Sequence, residues 1–495
     1  MTTLTKHPDH RPVSRPAWRQ TFGKDVGASL VVFLVALPLC VGVAVASGVP
    51  AELGIVTGIV GGIVVGLLPG STMQVSGPAA GLTVLVADTV AQHGIGALGV
   101  IVLGAGLLQL LLGVLRCGTW FRAISPAVVQ GMLAGIGLVL ILGQLYPFLG
   151  STQPSGTWAK VSGLPELVLR AFTTSAGLAA LGVGLLTIVV TVLWQRTPPK
   201  LRLLPGVLVG VVVATAVSAL PGFDLHRIEV GNLQDELHLP DFSLVNAGVL
   251  GAAVVFALVS SAESLFSAAA VDRMHNGPRT QYNTELIAQG AGNTVCGLLG
   301  ALPMTAVIVR SAANVQAGAQ TRASRVLHGV WLLLFVVALP GLLGLIPSAV
   351  LAALLVHSGW KLLGLKGVAG MLRTDRAEGA ILVLTAGLIV STDLLTGTLA
   401  GLAAAVIKTA WDVSHLSVTV TPLGDDDEVV VLRGNATFLR LPRLLAVLEG
   451  LPLTKHVRLD LTGLRHLDQA CGQAIETWAA RHRDAGLDVH VVNAD

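Results

Sequence analysis

A single arginine lies in the middle of an apolar stretch that is typical of a membrane-spanning segment. The stretch ALPMTAVIVRSAANVQAGA (301–319) contains no charged residue other than Arg310. An arginine at the centre of a membrane helix costs roughly 2.5–3.5 kcal/mol on insertion scales, so such residues usually face a cavity and serve a function. Pro303 and Gly318 weaken the helix around it. The stretch therefore predicts an anion-binding site, in which a cation lies beside irregular backbone at membrane depth.

A single carboxylate lies in another apolar stretch. Glu263 is the only charged residue of FALVSSAESLFSAAAV (256–271). A carboxylate at such a position can take up and release a proton during a reaction cycle. We therefore expect Glu263 to serve in proton coupling and to pair with Arg310 when the predicted anion site is empty. The alternative is a permanent salt bridge that serves stability alone.

The composition is that of a polytopic membrane protein. Of 495 residues, 53% are hydrophobic and 12% are charged, whereas soluble domains carry about 25% charged residues. Fourteen apolar segments are predicted near residues 27–46, 52–68, 77–91, 95–115, 125–148, 173–194, 203–220, 247–270, 283–300, 304–318, 326–342, 346–362, 377–392 and 394–413. With a cytoplasmic N-terminus, the predicted inner loops contain 18 Lys and Arg residues and the outer loops 3, which supports this orientation. Residues 1–24 are predicted to be a cytoplasmic tail without a signal-peptide core.

The fourteen segments divide into two sets of seven, at about 25–220 and 247–413. An odd number of spans per half means that the second half is inverted relative to the first, a common transporter construction. The third segment of each half is expected to form a helix poorly. In the first half, QVSGPAAGLTVLVAD (74–88) is interrupted by Gly77 and Pro78. Its counterpart in the second half is the segment that contains Arg310. Helix N-termini carry unpaired N–H groups and a partial positive charge, so two that face each other would hold an anion.

The composition changes after residue 413. Strand patterns in GDDDEVVVLRGNATF, KHVRLDLTGL and LDVHVV alternate with helical patterns in LPRLLAVLEGL and DQACGQAIETWAARHRDAG. This β-α-β-α-β order predicts a small α/β module at 414–495 on the cytoplasmic side.

Three stretches resemble the signatures of a known family. ALPLCVGVAVASGVP (36–50), VSGPAAGLTVLV (75–86) and NTELIAQGAGNTVCGLLGALPMTAVIVRSAANVQAGAQT (283–321) resemble the sulfate permease (SulP) family, the bacterial relatives of solute carrier family 26. The C-terminal module looks like the STAS domain of that family. The resemblance implies a seven-plus-seven inverted-repeat fold similar to that of uracil permeases, with a core and a gate domain. It also implies a homodimer that moves an anion bound between the N-termini of the third and tenth helices.

The resemblance places a set of residues at the substrate site: Leu39, Val43, Ser76, Gly77, Pro78, Ala79, Ala80, Arg310, Ser311 and Ala312. For residues 76–80 the alternative is a tight helix crossing made by small side chains. Leu39 is apolar, whereas some relatives carry a polar residue there. In the STAS module, Gln469 follows Asp468 where anti-sigma-antagonist relatives place a phosphorylatable serine, so we do not expect a phosphorylation switch.

These features predict a secondary active transporter that moves a small anion by proton symport and alternating access. The substrate classes implied are dicarboxylate, bicarbonate and sulfate. An anion channel or exchanger on the same fold is an alternative. A nucleobase permease is another, although it usually needs carboxylates where this chain has Arg310. The sequence contains no nucleophile–base pair, metal-ligand cluster or GxxxxGK[ST] loop, so we predict no enzyme activity, cofactor, metal or nucleic-acid partner.

Overall fold

The computed structural model describes residues 18–492 except 120–124, 155, 195, 199–203, 222–224, 229–230, 232–235, 424–426 and 453. Most of the predicted tail, residues 1–17, lies outside the described residues, and residues 18–24 already belong to the first helix. The chain divides into two compact units, Met1–Gly401 and Leu402–Asp495. The predicted boundary at residue 413 instead coincides with the end of a helix that begins in the first unit.

The first unit is helical. Its helices are α1 (Trp18–Ala46), α2 (Ala51–Val60), α3 (Thr83–His93), α4 (Gly96–Val114), α5 (Pro126–Phe148), α6 (Thr157–Ser162), α7 (Leu164–Thr173), α8 (Ser175–Trp194), α9 (Gly206–Ser218), α10 (Ala247–Val271), α11 (Tyr282–Leu298), α12 (Ile308–Gln316), α13 (Ala323–Ala338), α14 (Ser348–Leu363), α15 (Leu365–Thr374) and α16 (Arg376–Ser391), and α17 (Leu394–Val413) continues into the second unit. Each of the fourteen predicted apolar segments contains one of these helices. Helices α6, α7 and α15 lie in predicted loops, where no helix was expected.

Six helical stretches of the described residues are long and apolar enough to cross a membrane: Thr21–Ala46, Gly96–Val114, Pro126–Phe148, Ser175–Trp194, Ala247–Val271 and Ser348–Thr374. Three apolar helices are shorter, at Ala51–Val65, Gly206–Ser218 and Ala323–Ala338. A straight helix needs about 20 residues to cross the hydrocarbon core. The shorter helices do not reach that length by themselves, so the count of fourteen spans stays a prediction.

The third segment of each half begins with extended backbone. Strand β1 (Ser76–Pro78) pairs antiparallel with β2 (Met304–Ala306), with Gly77 opposite Thr305. Helix α3 follows β1 after a 3-10 turn at Ala80–Leu82, and α12 follows β2. Extended backbone at membrane depth needs partners for its N–H and C=O groups, and the two strands supply them to each other. Both helices therefore start beyond the strands.

The helices pack closely at glycines. A Cβ atom at Gly106 of α4 would lie 2.3 Å from the backbone nitrogen of Thr294 in α11. A Cβ atom at Gly297 of α11 would lie 2.2 Å from the backbone nitrogen of Leu103. No larger residue fits at either position without moving a helix, so glycine sets the distance between α4 and α11. This pair supports β2, which follows α11.

The second unit contains a four-stranded sheet in the order β3-β4-β5-β6, built from Leu416–Pro422, Asp427–Ala436, His456–Leu467 and Val489–Val492. The β3–β4 pair is antiparallel and the other two pairs are parallel. Helices α18 (Leu441–Glu449) and α19 (Gln469–Asp484) share an apolar core with the sheet. The β-α-β-α-β order holds from β4 onward, but the expectation of three strands was wrong because β3 precedes them. Its sequence LSVTVTP alternates apolar and polar residues and is rich in β-branched Val and Thr, which is itself a strand signal.

Candidate functional site

The Arg310 side chain lies fully buried against β1. One guanidinium nitrogen, Nη2, donates to the Pro78 carbonyl oxygen at 3.4 Å. The other, Nη1, lies so close to Gly77 that a Cβ atom there would be 2.1 Å away. Nε and Nη1 have no hydrogen-bond partner. A buried cation with unused donors is costly, so this site keeps positive charge available for an anionic group.

The expected pairing of Arg310 with Glu263 is not formed in this structure. No ion pair within 4.0 Å joins the two side chains, both of which belong to the described part of the chain. Glu263 instead packs against Gly81, where a Cβ atom would lie 2.6 Å from Oε1, and its Oε2 has no hydrogen-bond partner. The carboxylate and the guanidinium therefore lie against nearby parts of the same segment, at Gly81 and at Gly77–Pro78, and no ion pair joins them.

A cavity of about 1410 Å³ adjoins both charged groups. The sequence-predicted residues that line it are Leu39, Val43, Pro78, Ala79, Ala80, Glu263, Arg310 and Ala312. The start of α12, at Ile308 and Val309, also lines it. Both interrupted segments therefore present their first helical turn to one space, together with a cation and a carboxylate.

Three predicted site residues do not line this cavity. The Ser76 hydroxyl accepts a hydrogen bond from Gln289 Nε2 at 2.6 Å. The Ser311 hydroxyl donates to the Val307 carbonyl at 2.8 Å and accepts from the Val75 backbone N–H at 2.9 Å. Gly77 lies under the Arg310 guanidinium. These residues hold the strands and the arginine in place, so the structure gives them supporting positions beside the cavity.

The far end of the cavity carries two more cations. Arg273 and Lys361, at the C-terminal ends of α10 and α14, are exposed and line the cavity. In the predicted topology this end faces the cytoplasm. Like charges along a low-dielectric passage raise the local concentration of the opposite ion, so these side chains favour anions approaching Arg310.

The segment that leads into β1 is held by polar side chains that the sequence analysis did not identify. Glu285 Oε2 accepts from the Ser71 N–H at 2.7 Å, and Asn314 Nδ2 donates to the Met73 carbonyl at 3.0 Å. Asn293 holds β2 in the same way. Its Oδ1 accepts from the Met304 N–H at 2.7 Å, and its Nδ2 donates to the Met304 carbonyl at 3.1 Å. The available signal is the run of polar residues inside 283–321, which the sequence analysis interprets only as a family signature.

Arg325 is one of the 18 basic residues counted in the predicted inner loops, but in the structure it lies in helix α13. Its side chain is 2% exposed. It donates to four backbone carbonyls, those of Val65 (3.1 Å), Gly66 (3.2 Å), Leu68 (2.8 Å) and Gln74 (3.4 Å). Carbonyls at a helix end lack intrahelical partners. This one guanidinium therefore supplies hydrogen-bond donors to the carbonyls that follow α2 and to one that precedes β1.

Replacing Arg325 with methionine is therefore expected to lower the free energy of unfolding by about 4 kcal/mol or more, because four backbone carbonyls lose their donor at roughly 1–3 kcal/mol each. Thermal unfolding of the detergent-purified protein measures the change. The matched control is Arg322→Met, an exposed arginine one turn earlier, for which we expect a change within about 0.5 kcal/mol. Equal unfolding temperatures for the two variants would contradict this role of Arg325.

The fold and the site together define a polytopic membrane protein whose site is built where two interrupted segments meet. The comparison with known sequences is more specific. Residues 22–385 match the Sulfate permease family, and the chain belongs to this family.

Two curated relatives show the extent of the similarity. The putative sulfate transporter YvdB of Bacillus subtilis is 32% identical over 348 residues, which cover 68% of this chain and 64% of that protein. The chain thus matches somewhat less than two thirds of that relative. The bicarbonate transporter BicA of Synechocystis sp. is 26% identical over 477 residues, which cover 86% of this chain and 80% of BicA.

Solved structures share the fold. The transmembrane domain of a cyanobacterial bicarbonate transporter BicA superposes with a TM-score of 0.66 at 24% identity, covering 77% of this chain and 97% of that one. The murine Solute Carrier 26 family member A9 anion transporter, in the inward-facing state, superposes with a TM-score of 0.79 at 16% identity, covering 99% and 91%.

Proposed function

We propose that this protein is a secondary active transporter of a small anion, which binds between the residues Pro78–Ala80 and the first turn of α12. The observation that carries the proposal is the Arg310 guanidinium, which is buried, keeps two nitrogens without hydrogen-bond partners and lines a cavity. Helix N-termini bind anions through their free N–H groups, and here two such termini and a cation adjoin one space.

The relatives narrow the substrate class. Those named above are described as sulfate and bicarbonate transporters, so we propose sulfate or bicarbonate as the first anions to test. A dicarboxylate is the third candidate, because it presents the same carboxylate chemistry to the site. All three are negatively charged and small relative to a cavity of about 1410 Å³.

Transport by alternating access is the mechanism we propose, in a membrane domain of fourteen spans arranged as two inverted sets of seven. Two observations support it: each predicted segment contains a helix, and the third segments of both halves meet as antiparallel strands. We further propose that the protein is a homodimer in the plasma membrane, with the N-terminus and a STAS-like C-terminal domain in the cytoplasm. The four-stranded α/β fold of the second unit supports the domain assignment.

Glu263 is the group that we propose to carry the coupled proton. It lines the same cavity as Arg310, and its Oε2 has no hydrogen-bond partner. Because no direct ion pair with Arg310 fixes it as a carboxylate, it can change protonation state as an anion arrives or leaves. The expected cycle is symport, in which the anion and a proton cross together.

Two alternatives differ in a measurable way. A channel on this fold would pass current in proportion to voltage, whereas a transporter saturates with substrate. A nucleobase permease would bind uncharged ligands, which the uncompensated Arg310 disfavours. Membership of a family whose named relatives are transporters supports a function other than catalysis.

Uptake by proteoliposomes tests the proposal. Purified protein is reconstituted, and uptake of labelled sulfate, bicarbonate and a dicarboxylate is followed with and without a pH gradient, with uracil as the uncharged control. We expect saturable uptake of at least one anion, which increases when the outside is acidic. Ohmic currents without saturation, or uptake of uracil alone, would overturn the proposal.

A further inference from the structure

Two cavities lie at opposite ends of the same three helices. The cavity beside Arg310 is lined by α1 from Gly27 to Val43, by the N-terminal part of α5 and by the C-terminal end of α14. A second cavity, of about 960 Å³, is lined by the C-terminal ends of α1 and α5 and by the N-terminal end of α14. The same helices therefore separate two spaces that open in opposite directions.

Apolar side chains fill the region between the cavities. Val43 of α1, Ile136 and Leu140 of α5, and Leu355 of α14 are buried and belong to one core cluster. A Cβ atom at Gly42 would lie 3.5 Å from Leu355 Cδ1, so α1 and α14 are in contact at this level. An anion that leaves the first cavity must pass this barrier, and the second cavity is the space that would receive it.

The second cavity contains polar groups that the transport site does not use. Gln144 lines it and is 5% exposed, and its amide has no hydrogen bond with any described residue. Arg227 also lines it, at the exposed edge, and likewise has no ion pair or hydrogen bond through its side chain within the described chain. The Gln144 side chain is largely buried at the cavity wall, and its unbonded amide offers both donors and an acceptor to a polar ligand at this place.

The backbone holds Arg227 beside a helix N-terminus. The Ser348 N–H, at the first residue of α14, donates to the His226 carbonyl at 2.9 Å, and the Ile228 N–H donates to the Ile346 carbonyl at 3.3 Å. Ser348 and Ala349 line the cavity. The N-terminus of a 16-residue helix carries a partial positive charge. A guanidinium, an amide and a helix N-terminus thus line the same cavity.

We propose that this second cavity is a further anion site, in which Arg227, Gln144 and the first turn of α14 bind the transported anion on the opposite side of the apolar barrier from Arg310. The inference rests on the proposed function. The site is a weaker one than that of Arg310, because Arg227 is exposed to solvent and its charge is screened. Its role is to bind the anion during its passage between the barrier and the outer side of the predicted topology.

Sided transport measurements with Arg227→Gln test the site. Influx of labelled sulfate and bicarbonate is measured into intact cells, where the second cavity faces the medium in the predicted topology, and into inside-out vesicles. We expect the KM for influx into cells to rise roughly five- to tenfold, with kcat unchanged, while the KM in inside-out vesicles stays the same. Gln144→Leu should show the same sidedness, and Arg227→Lys should retain most of the affinity.

The matched control is Lys361→Gln, which removes a cation from the first cavity instead and should raise the KM only in inside-out vesicles. If the KM of Arg227→Gln is unchanged on both sides, or is raised equally on both, the second site is overturned. Uptake by the wild-type protein in the same assays would show that the proposed function still stands. Absence of uptake by the wild-type protein from either side would overturn the proposed function and the second site with it.

Discussion

Replacing Arg310 with methionine is expected to reduce kcat/KM for every transported anion by roughly 10- to 150-fold, the loss that follows from removing about 1.5–3 kcal/mol of hydrogen bonding to a charged group. All anions should be affected because the guanidinium and the two helix N-termini act through charge. Initial uptake rates against concentration, measured for sulfate and bicarbonate, give the values. Loss of one anion with retention of the other would show specific recognition in place of a general electrostatic site.

The same variant should fold at least as well as the wild type. The Arg310 guanidinium makes one hydrogen bond, at 3.4 Å, and keeps two nitrogens without partners, so burying it lowers stability. Replacement of a buried charge by an apolar side chain is often neutral or stabilising. An unfolding temperature equal to or above that of the wild type, with uptake lost, is the expected combination. A lower unfolding temperature would indicate that Arg310 has a structural role.

Replacing Glu263 with glutamine is expected to abolish the response of uptake to a pH gradient. Glutamine keeps the shape of the side chain but cannot take up a proton. One pH unit supplies about 1.4 kcal/mol per proton, enough for about tenfold accumulation, and the variant should reach the same internal concentration with and without the gradient. Proteoliposome uptake at two external pH values measures this.

The control for Glu263 is Ser267→Ala, one turn further along α10 and also on the cavity lining. It should keep the dependence on the pH gradient, because it leaves the titratable group in place. Preserved coupling in Glu263→Gln would remove this residue from the proton pathway, and the proposed symport would then need another carrier.

Local patterns in the sequence predicted the parts of the fold that depend on local interactions. Apolar runs located a helix in every predicted segment, and Gly77, Pro78 and Pro303 indicated where two of them are interrupted. Arg310 and Glu263 stand out because a charge in an apolar run is costly wherever the chain folds. These inferences need no knowledge of distant contacts.

What the sequence did not predict depends on residues far apart in the chain. The β1–β2 pairing joins residues more than 200 positions apart, and periodicity carries no signal for such a pair. Arg325 was expected in a loop because a basic residue near a predicted helix end usually marks one, whereas it lies in α13 and its partners are carbonyls between the end of α2 and β1. The orientation of Ser76 and Ser311 away from the cavity likewise follows from tertiary hydrogen bonds.

Protection of introduced cysteines tests the location of the anion most directly. Ala80→Cys and Ala312→Cys place a thiol on each interrupted segment at the cavity lining, and Gln316→Cys places one further along α12. In a Cys117→Ser background, the remaining native cysteines are buried. A transported anion should slow modification of the first two thiols by a small methanethiosulfonate reagent and leave the third unchanged. Equal rates with and without the anion, in variants that still transport it, would contradict a site between the two segments.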